Sequence, residues 1–541
     1  MKVLFLLFSL LLCASANSQN LTLDYLKDQP KGISRDFYIW LFLQQDINPK
    51  EATEAYNLAL RKNAKLFGLY YKKGNNKTLS KRTICQQMKL QKLIKQDSQC
   101  IAYGLTLKKA ETLEPKTLIQ LSKKLQNTDL ILATQLKILA SKKPFNELIK
   151  TDAKIFSDFY FGVSSNYRKQ FLNAPLPKQT LLNYISQKHP PFMKVLRQAI
   201  LNTDMQVFSH SLLQVSPQEI LSFLDDESAF YLGLNAIKNK NTSDSLDFFI
   251  HSSEIAKYSF EKNRGLFWAY LASKDSTYLQ KLSQSKSMDL YTLASLEFTN
   301  NKPQFEILYD IQTADTFAKW DIKDPFEWEK IRDSYKNQTP KNKEALLQKV
   351  NHLNTKPHFF WLNKEPNKEY FLKPFPTIMN RFNNDTQALL YALGRQESLF
   401  IPTAISTSYA LGVMQLMPFN VTAIAKQMGE SEKITYQDMF DPAINIPYAE
   451  YFTRPLLKEF KHPLFVSYAY NGGPGFTRRL LQTKQLFRKD NPLDPWYSME
   501  MIPYEETRKY GKKVLANYII YQKSFGKEID LQNTLQDTLI Y

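Results

Sequence analysis

Apolar residues recur at helical spacing through most of this chain. Leu118, Leu121 and Leu125 mark one face, Asn127-Thr128 interrupts it, and Leu132, Leu136 and Leu139 resume the stripe. Ser216-Pro217-Gln218-Glu219 has the form of a capping box and predicts a helix through Ile220, Phe223 and Leu224. Phe230, Leu234 and Ile237 predict the next helix, and Leu246, Phe249 and Ile250 the one after. From about residue 20 to 300 the pattern is therefore helical hairpins in succession. Each helix would bury one stripe, and such elements gain stability by stacking on their neighbours, so an irregular superhelix of repeats is expected. Between about residues 301 and 370, Pro303, Pro325, Pro340, Pro357 and Pro366 break the helices and Trp320, Trp328 and Trp361 enrich the composition, which marks a boundary segment. Beyond it, Gly394, Gly412, Gly429, Gly472, Gly473, Gly475, Gly511 and Gly526 make up more than half of the 15 glycines, so loops carry more of the structure there. Helices are predicted near 420–429, from Asp441-Pro442, at 463–470 and at 504–523.

One predicted helix carries candidate chemistry. Asn384 or Asp385 can cap it, Leu389, Leu393 and Glu397 follow at intervals of four, and Pro402 bars helical geometry at Ile401. Glu397 then sits at a helix end beside the core, where burial would raise its pKa towards that of a general acid working near neutral pH. On spacing alone the commoner reading is a surface acid, because Glu is rarely buried. No Asp or Glu occurs between Ser398 and Gly429, so Glu397 faces an uncharged, amide-bearing loop.

The 541 residues are too many for one ordinary domain, and the 43% hydrophobic and 23% charged fractions are those of a globular chain. Lys2, the apolar run from Val3 to Leu12 and Ala14-Ser15-Ala16 form the regions of a secretory signal, cut after Ala16. The run is too short for a membrane anchor, and Leu12 argues against lipidation of Cys13. Removing the signal leaves Cys85 and Cys100, expected to pair in an oxidising compartment; two separate buried thiols are the other reading. The net charge of +19 suits an anionic polymer or equally a solvated face, since the lysines form no cluster. There is no phosphate-binding loop, metal-ligand spacing or nucleophile elbow, and His189, His210, His251, His352 and His358 are scattered.

Gln396-Glu397-Ser398, Ser406 and Ala410-Leu411-Gly412-Val413-Met414-Gln415-Leu416-Met417-Pro418 resemble the signature of the soluble lytic murein transglycosylases. Ala469-Tyr470-Asn471-Gly472-Gly473-Pro474-Gly475 and Ile502-Pro503-Tyr504-Glu505-Glu506-Thr507-Arg508-Lys509-Tyr510 resemble two later motifs of that family. Three ordered motifs within roughly 115 residues are hard to obtain by chance. Two positions depart from the pattern: Tyr409 stands where a small residue is usual, and Pro447 near a usual glycine.

The resemblance implies an all-α chain. After a signal peptide at 1–16 it would have a superhelical helix-repeat domain at 17–300, a linker domain at 301–370 and a lysozyme-like, mainly helical catalytic domain at 371–541. It implies cleavage of the β-1,4 bond between N-acetylmuramic acid and N-acetylglucosamine, with Glu397 as the single acid and base and a 1,6-anhydromuramyl product. Ser406, Gln415, Met414, Met417, Tyr470 and Asn471 would bind or shape the substrate, and Tyr510 would approach Glu397. For each Met a core role stands beside the contact role, and Asn471 is equally a turn residue before Gly472. No cofactor is implied. The partners are peptidoglycan strands and stem peptides in the periplasm, with cell-wall synthesis proteins as further candidates and no nucleic acid. A goose-lysozyme-like hydrolase and a non-enzymatic helical scaffold are the alternatives.

Overall fold

The computed structural model describes residues 21–73 and 80–541, so the expected signal peptide and Cys13 lie outside the described residues. Among the described residues the secondary structure is helical apart from a two-stranded sheet of Glu306–Leu308 with Lys368–Tyr370 and a few isolated bridges. The chain divides into two compact units. Among the described residues the first gathers 21–73, 307–470 and 517–528, and the second 80–306, 471–516 and 529–541.

In the second unit, helices pack on their sequence neighbours. Pro115–Leu125 lies on Leu130–Leu139, and Asp226–Lys238, Thr242–Ile255 and Ser259–Ser273 follow one on the next. Leu118, Leu121, Leu125, Leu132, Leu136 and Leu139 are all buried, as their spacing requires. The capping box at Ser216 and Glu219 is present, but the helix it opens is only Pro217–Ile220. Ile220 leaves helical geometry (φ −132°), a 3₁₀ turn over Leu221–Phe223 follows, and Leu224 is extended, so the predicted continuation through Phe223 and Leu224 is corrected. Cys85 and Cys100 are joined, linking Lys81–Gln87 to Ser98–Gly104 with their Cα atoms 5.3 Å apart. A loop of this length is worth roughly 3 kcal/mol in the chain-entropy account.

A buried ionic network ties the 496–512 stretch to the helices of the same unit. Lys512 lies 2.6 Å from Glu500 with both side chains essentially inaccessible, and the Tyr291 hydroxyl donates to Glu500. Lys509 bridges Glu227 at 3.0 Å and Glu261 at 2.9 Å, and Arg264 reaches Glu227 at 3.2 Å. Burial pushes the Lys512 ammonium down to about 8, while Glu500, despite its own burial, is held low by Lys512 and Arg264. Such charges persist inside a fold only when paired.

The first unit has its own cores. Trp328, Ile331, Val350, Leu362 and Ile401 form one cluster, drawn from helices Pro325–Lys336, Pro340–Val350 and Lys356–Leu362 and from the segment after Glu397. The unexpected bulk at Tyr409 has a direct explanation. Its ring packs on Phe37 and Trp40 of the helix Ile33–Phe42, with centroids 6.0 and 5.8 Å away, and its hydroxyl accepts from Asn63 at 3.0 Å. Pro447 sits inside Pro442–Phe460, which continues past it.

Candidate active site

The helix Asn384–Ser398 is capped by Asn383, whose side chain accepts from the Thr386 N–H, one residue before the predicted cap. Leu389 and Leu393 are buried, and Glu397 on the same face is half-buried and lines a cavity of about 650 Å³ within the first unit. Leu399 and Phe400 are both left-handed (φ 53° and 66°), so the helix stops at Ser398, before Pro402 can act. Two anchors fix this last turn. The Ser398 hydroxyl donates to the Val413 carbonyl at 2.7 Å, and Arg395 donates to the Tyr370 carbonyl, Asn517 and Glu369 while stacking on Phe371.

Residues 404–416 form a tight, irregular loop with bridges Ile405 to Leu411 and Leu411 to Leu416. The Ser406 hydroxyl accepts from the Ala410 and Ser408 N–H groups, while Gln415 donates from Nε2 to the Ala404 and Gly412 carbonyls, both at 2.9 Å. That use of Nε2 turns the Gln415 side-chain oxygen into its remaining acceptor. The fully buried Asn445 holds the loop from beneath: its Oδ1 accepts from Met414 N–H at 2.8 Å and its Nδ2 donates to the Leu411 carbonyl at 3.1 Å. Gly412 (φ 75°) permits this approach, for a Cβ there would stand 2.1 Å from the Met439 carbonyl and 2.5 Å from Asn445 Nδ2. Leu399, Phe400, Tyr409 and Gln415 also have positive φ. Each costs of order 1–3 kcal/mol, and such strain collects around functional sites.

Glu397, Ser406 and Gln415 thus share one cavity. Tyr470 donates its hydroxyl to the Met414 carbonyl at 2.7 Å. Burial first, and then the Glu397 charge, raise its phenol well above the ordinary value, which keeps it a protonated donor near the acid. Met414 is buried below the helix, near Gly394 and Phe400, and Met417 is the N-cap of Pro418–Met428; neither is part of the cavity lining. Asn471 and Tyr510 fall in the second unit. There Asn471 accepts from the Thr507 hydroxyl at 2.7 Å and donates to Glu506 at 3.1 Å, so the two later motifs meet, and Tyr510 is buried.

The cavity has a further wall that no motif announced: Trp328, Glu329, Arg332, Asp333 and Trp361, with the turn at 31–34. Two of these are carboxylates. Glu329 accepts from the Ser34 N–H and hydroxyl at the start of Ile33–Phe42, though burial still raises its pKa. Asp333 accepts from Arg332 Nε at 2.9 Å and Nη2 at 3.1 Å, and this pairing lowers its pKa. Both carboxylates are thus engaged by protein donors. The available signal was the charged cluster between Trp328 and Asp333 in a helix opened by Pro325, and Asn445 was legible only as an amide within a helix. Among the described residues no group of His, Cys, Asp and Glu could hold a metal ion.

Residues 377–492 match the Transglycosylase SLT domain. A 153-residue stretch is 30% identical to the soluble lytic murein transglycosylase of Salmonella typhimurium, covering 28% of this chain and 23% of that protein. The protein of the same name from Escherichia coli K12 is 30% identical over 151 residues, again 28% of this chain and 23% of its own length. The match thus spans under a quarter of these curated relatives. A solved structure of an inactive variant of the lytic transglycosylase Slt from Pseudomonas aeruginosa aligns over 94% of this chain and 84% of its own, at 15% identity and a TM-score of 0.47. The matched stretch contains Glu397, Ser406, Met414, Gln415, Met417, Tyr470 and Asn471; Tyr510 and the wall from Trp328 to Trp361 lie outside it.

Proposed function

We propose that this chain is a lytic transglycosylase of peptidoglycan. The observation that carries the reading is the placement of Glu397 with Ser406 and Gln415 around one cavity, where the other two carboxylates are held by Ser34 and Arg332. Glu397 protonates the oxygen leaving between N-acetylmuramic acid and N-acetylglucosamine, and the muramic N-acetyl group stabilises the electron-poor anomeric carbon. Now a carboxylate, Glu397 takes the proton of the muramic C6 hydroxyl, whose oxygen closes on the anomeric carbon. The product is a 1,6-anhydro ring, and Glu397 ends in its starting protonation state. Intramolecular capture gains from proximity and requires no positioned water. Ser406 and Gln415 orient the sugar, and Tyr470 supports the loop beside the acid.

The expected export signal at 1–16 and a periplasmic site of action fit this substrate, as does the pairing of Cys85 with Cys100. Among the described residues no helix is long and apolar enough to cross a membrane. The division into a repeat domain (17–300), a linker (301–370) and a catalytic domain (371–541), and contacts with cell-wall synthesis proteins, belong to the same proposal. Mass spectrometry of purified murein after digestion is the test. Termini lighter by one water than hydrolytic ones are expected, and Glu397→Gln should lower turnover by about 10²- to 10⁴-fold. Mainly reducing muramic termini would establish a hydrolase instead, and a folded, murein-binding protein that releases nothing would establish a scaffold.

A further inference from the structure

The cavity around Glu397 extends beyond the SLT domain. Its volume of about 650 Å³ lies in the range of ligand pockets that enclose whole small molecules, and its far wall comes from the helix Pro325–Lys336 and from Trp361 in Lys356–Leu362. A pyranose presents an apolar face of C–H groups and an equatorial rim of hydroxyls. An aromatic ring suits the first, and a planar charged group with several hydrogen-bonding positions suits the second. That wall holds one of each. Trp361 is half-buried and lines the cavity, while Trp328, almost fully buried, meets it edge-on at 5.7 Å and 89° and so fixes its plane. Arg332 is held in orientation by its two bonds to Asp333, which leave the Nη1 group of the guanidinium uninvolved in that pair.

We propose that Trp361 and Arg332 form a saccharide subsite, taking a sugar of the glycan strand beyond the pair whose bond is cleaved. The proposal rests on the murein reading for its substrate class. Trp361 stacks on the sugar face and Arg332 donates to its hydroxyls. The chain then selects glycan strands over single disaccharide units through residues that the SLT domain does not contain.

The test uses the full chain carrying Glu397→Gln, so that bound sugar is not turned over, and titrates the di- and tetrasaccharides of β-1,4-linked N-acetylglucosamine by calorimetry. The tetrasaccharide should bind at least about tenfold tighter, which is 1.4 kcal/mol. Trp361→Leu should remove most of that preference while leaving disaccharide affinity within about twofold. Arg332→Gln, which spares the hydrophobic cluster, gives a second measurement should Trp361→Leu fail to fold. In the active protein both changes should raise KM on peptide-free glycan strands. Equal affinities for the two sugars, or a preference that survives Arg332→Gln and a folded Trp361→Leu, would overturn the subsite. Because binding is read without turnover, loss of the anhydro product would refute the transglycosylase reading and leave this measurement intact.

Discussion

Replacing Gly412 by Ala should separate the loop's architecture from ordinary turn strain. The substitution places a Cβ 2.1 Å from the Met439 carbonyl and 2.5 Å from Asn445 Nδ2, neither of which is the loose end of a flexible chain. The left-handed conformation alone costs a non-glycine residue roughly 1–3 kcal/mol. Moving Asn445 aside breaks its bonds to Met414 and Leu411; the Leu411 carbonyl keeps the Leu416 N–H at 3.0 Å, whereas the buried Met414 N–H is left without Asn445, at a cost of roughly 1–3 kcal/mol. The expected destabilisation is therefore about 2–6 kcal/mol. Gly429 provides the control, since it has nearly the same φ (72° against 75°) but nothing within 4 Å of an added Cβ. Gly429→Ala should cost only about 1 kcal/mol. Urea titration followed by circular dichroism measures both, and release of soluble murein fragments measures the proposed activity. Gly412→Ala should lose activity more than tenfold even at temperatures where it is folded, because Gln415 is oriented by the Gly412 carbonyl. Equal stabilities for the two variants, within about 0.5 kcal/mol, would refute the role given to Asn445 and Gly412.

Tyr409→Phe keeps the ring on Phe37 and Trp40 but loses the bond from Asn63, and a urea titration should show a loss of about 1 kcal/mol. Asp289, buried as the cap of Leu290–Thr299, has its carboxyl pushed up to about 6 by that burial. A raised folded pKa means stability that is present below about pH 4 and lost as pH rises through 6, roughly 3 kcal/mol for a shift of this size. In urea titrations from pH 4 to 7.5, Asp289→Asn should lack this part of the slope; an unchanged slope would contradict the assignment. The fragment 371–541 should melt cooperatively but below the full chain, since it lacks the partners of Tyr409, and absence of any transition in calorimetry would reject the proposed boundary at 371.

The parts of the site that could be read in advance are those whose information is local. The helix through Leu389, Leu393 and Glu397 follows from its spacing, and the Ser406 to Gln415 loop from its composition. What stayed hidden depends on residues far apart in the chain. The opposite cavity wall comes from a segment whose prolines and tryptophans mark only a boundary, and the bonds that occupy Glu329 come from Ser34, nearly three hundred positions earlier. The helix ends within a turn of Glu397, as Pro402 leads one to expect, but its last residue is set by Leu399 and Phe400, whose left-handed conformations are disfavoured for their residue types and are not visible in the local pattern. Ile220 shows the converse: good local capping does not sustain a helix when the residues after it are drawn elsewhere.

The bond from Asn63 to Tyr409 joins residues 346 positions apart. During synthesis Phe37 and Trp40 emerge long before the ring that covers them, and closing so distant a contact is slow. The early segment must therefore wait, with aromatic surface uncovered, until the loop that orients Gln415 has been made. Completion of this packing and completion of the cavity are then the same late event, so a partly made chain has no finished site.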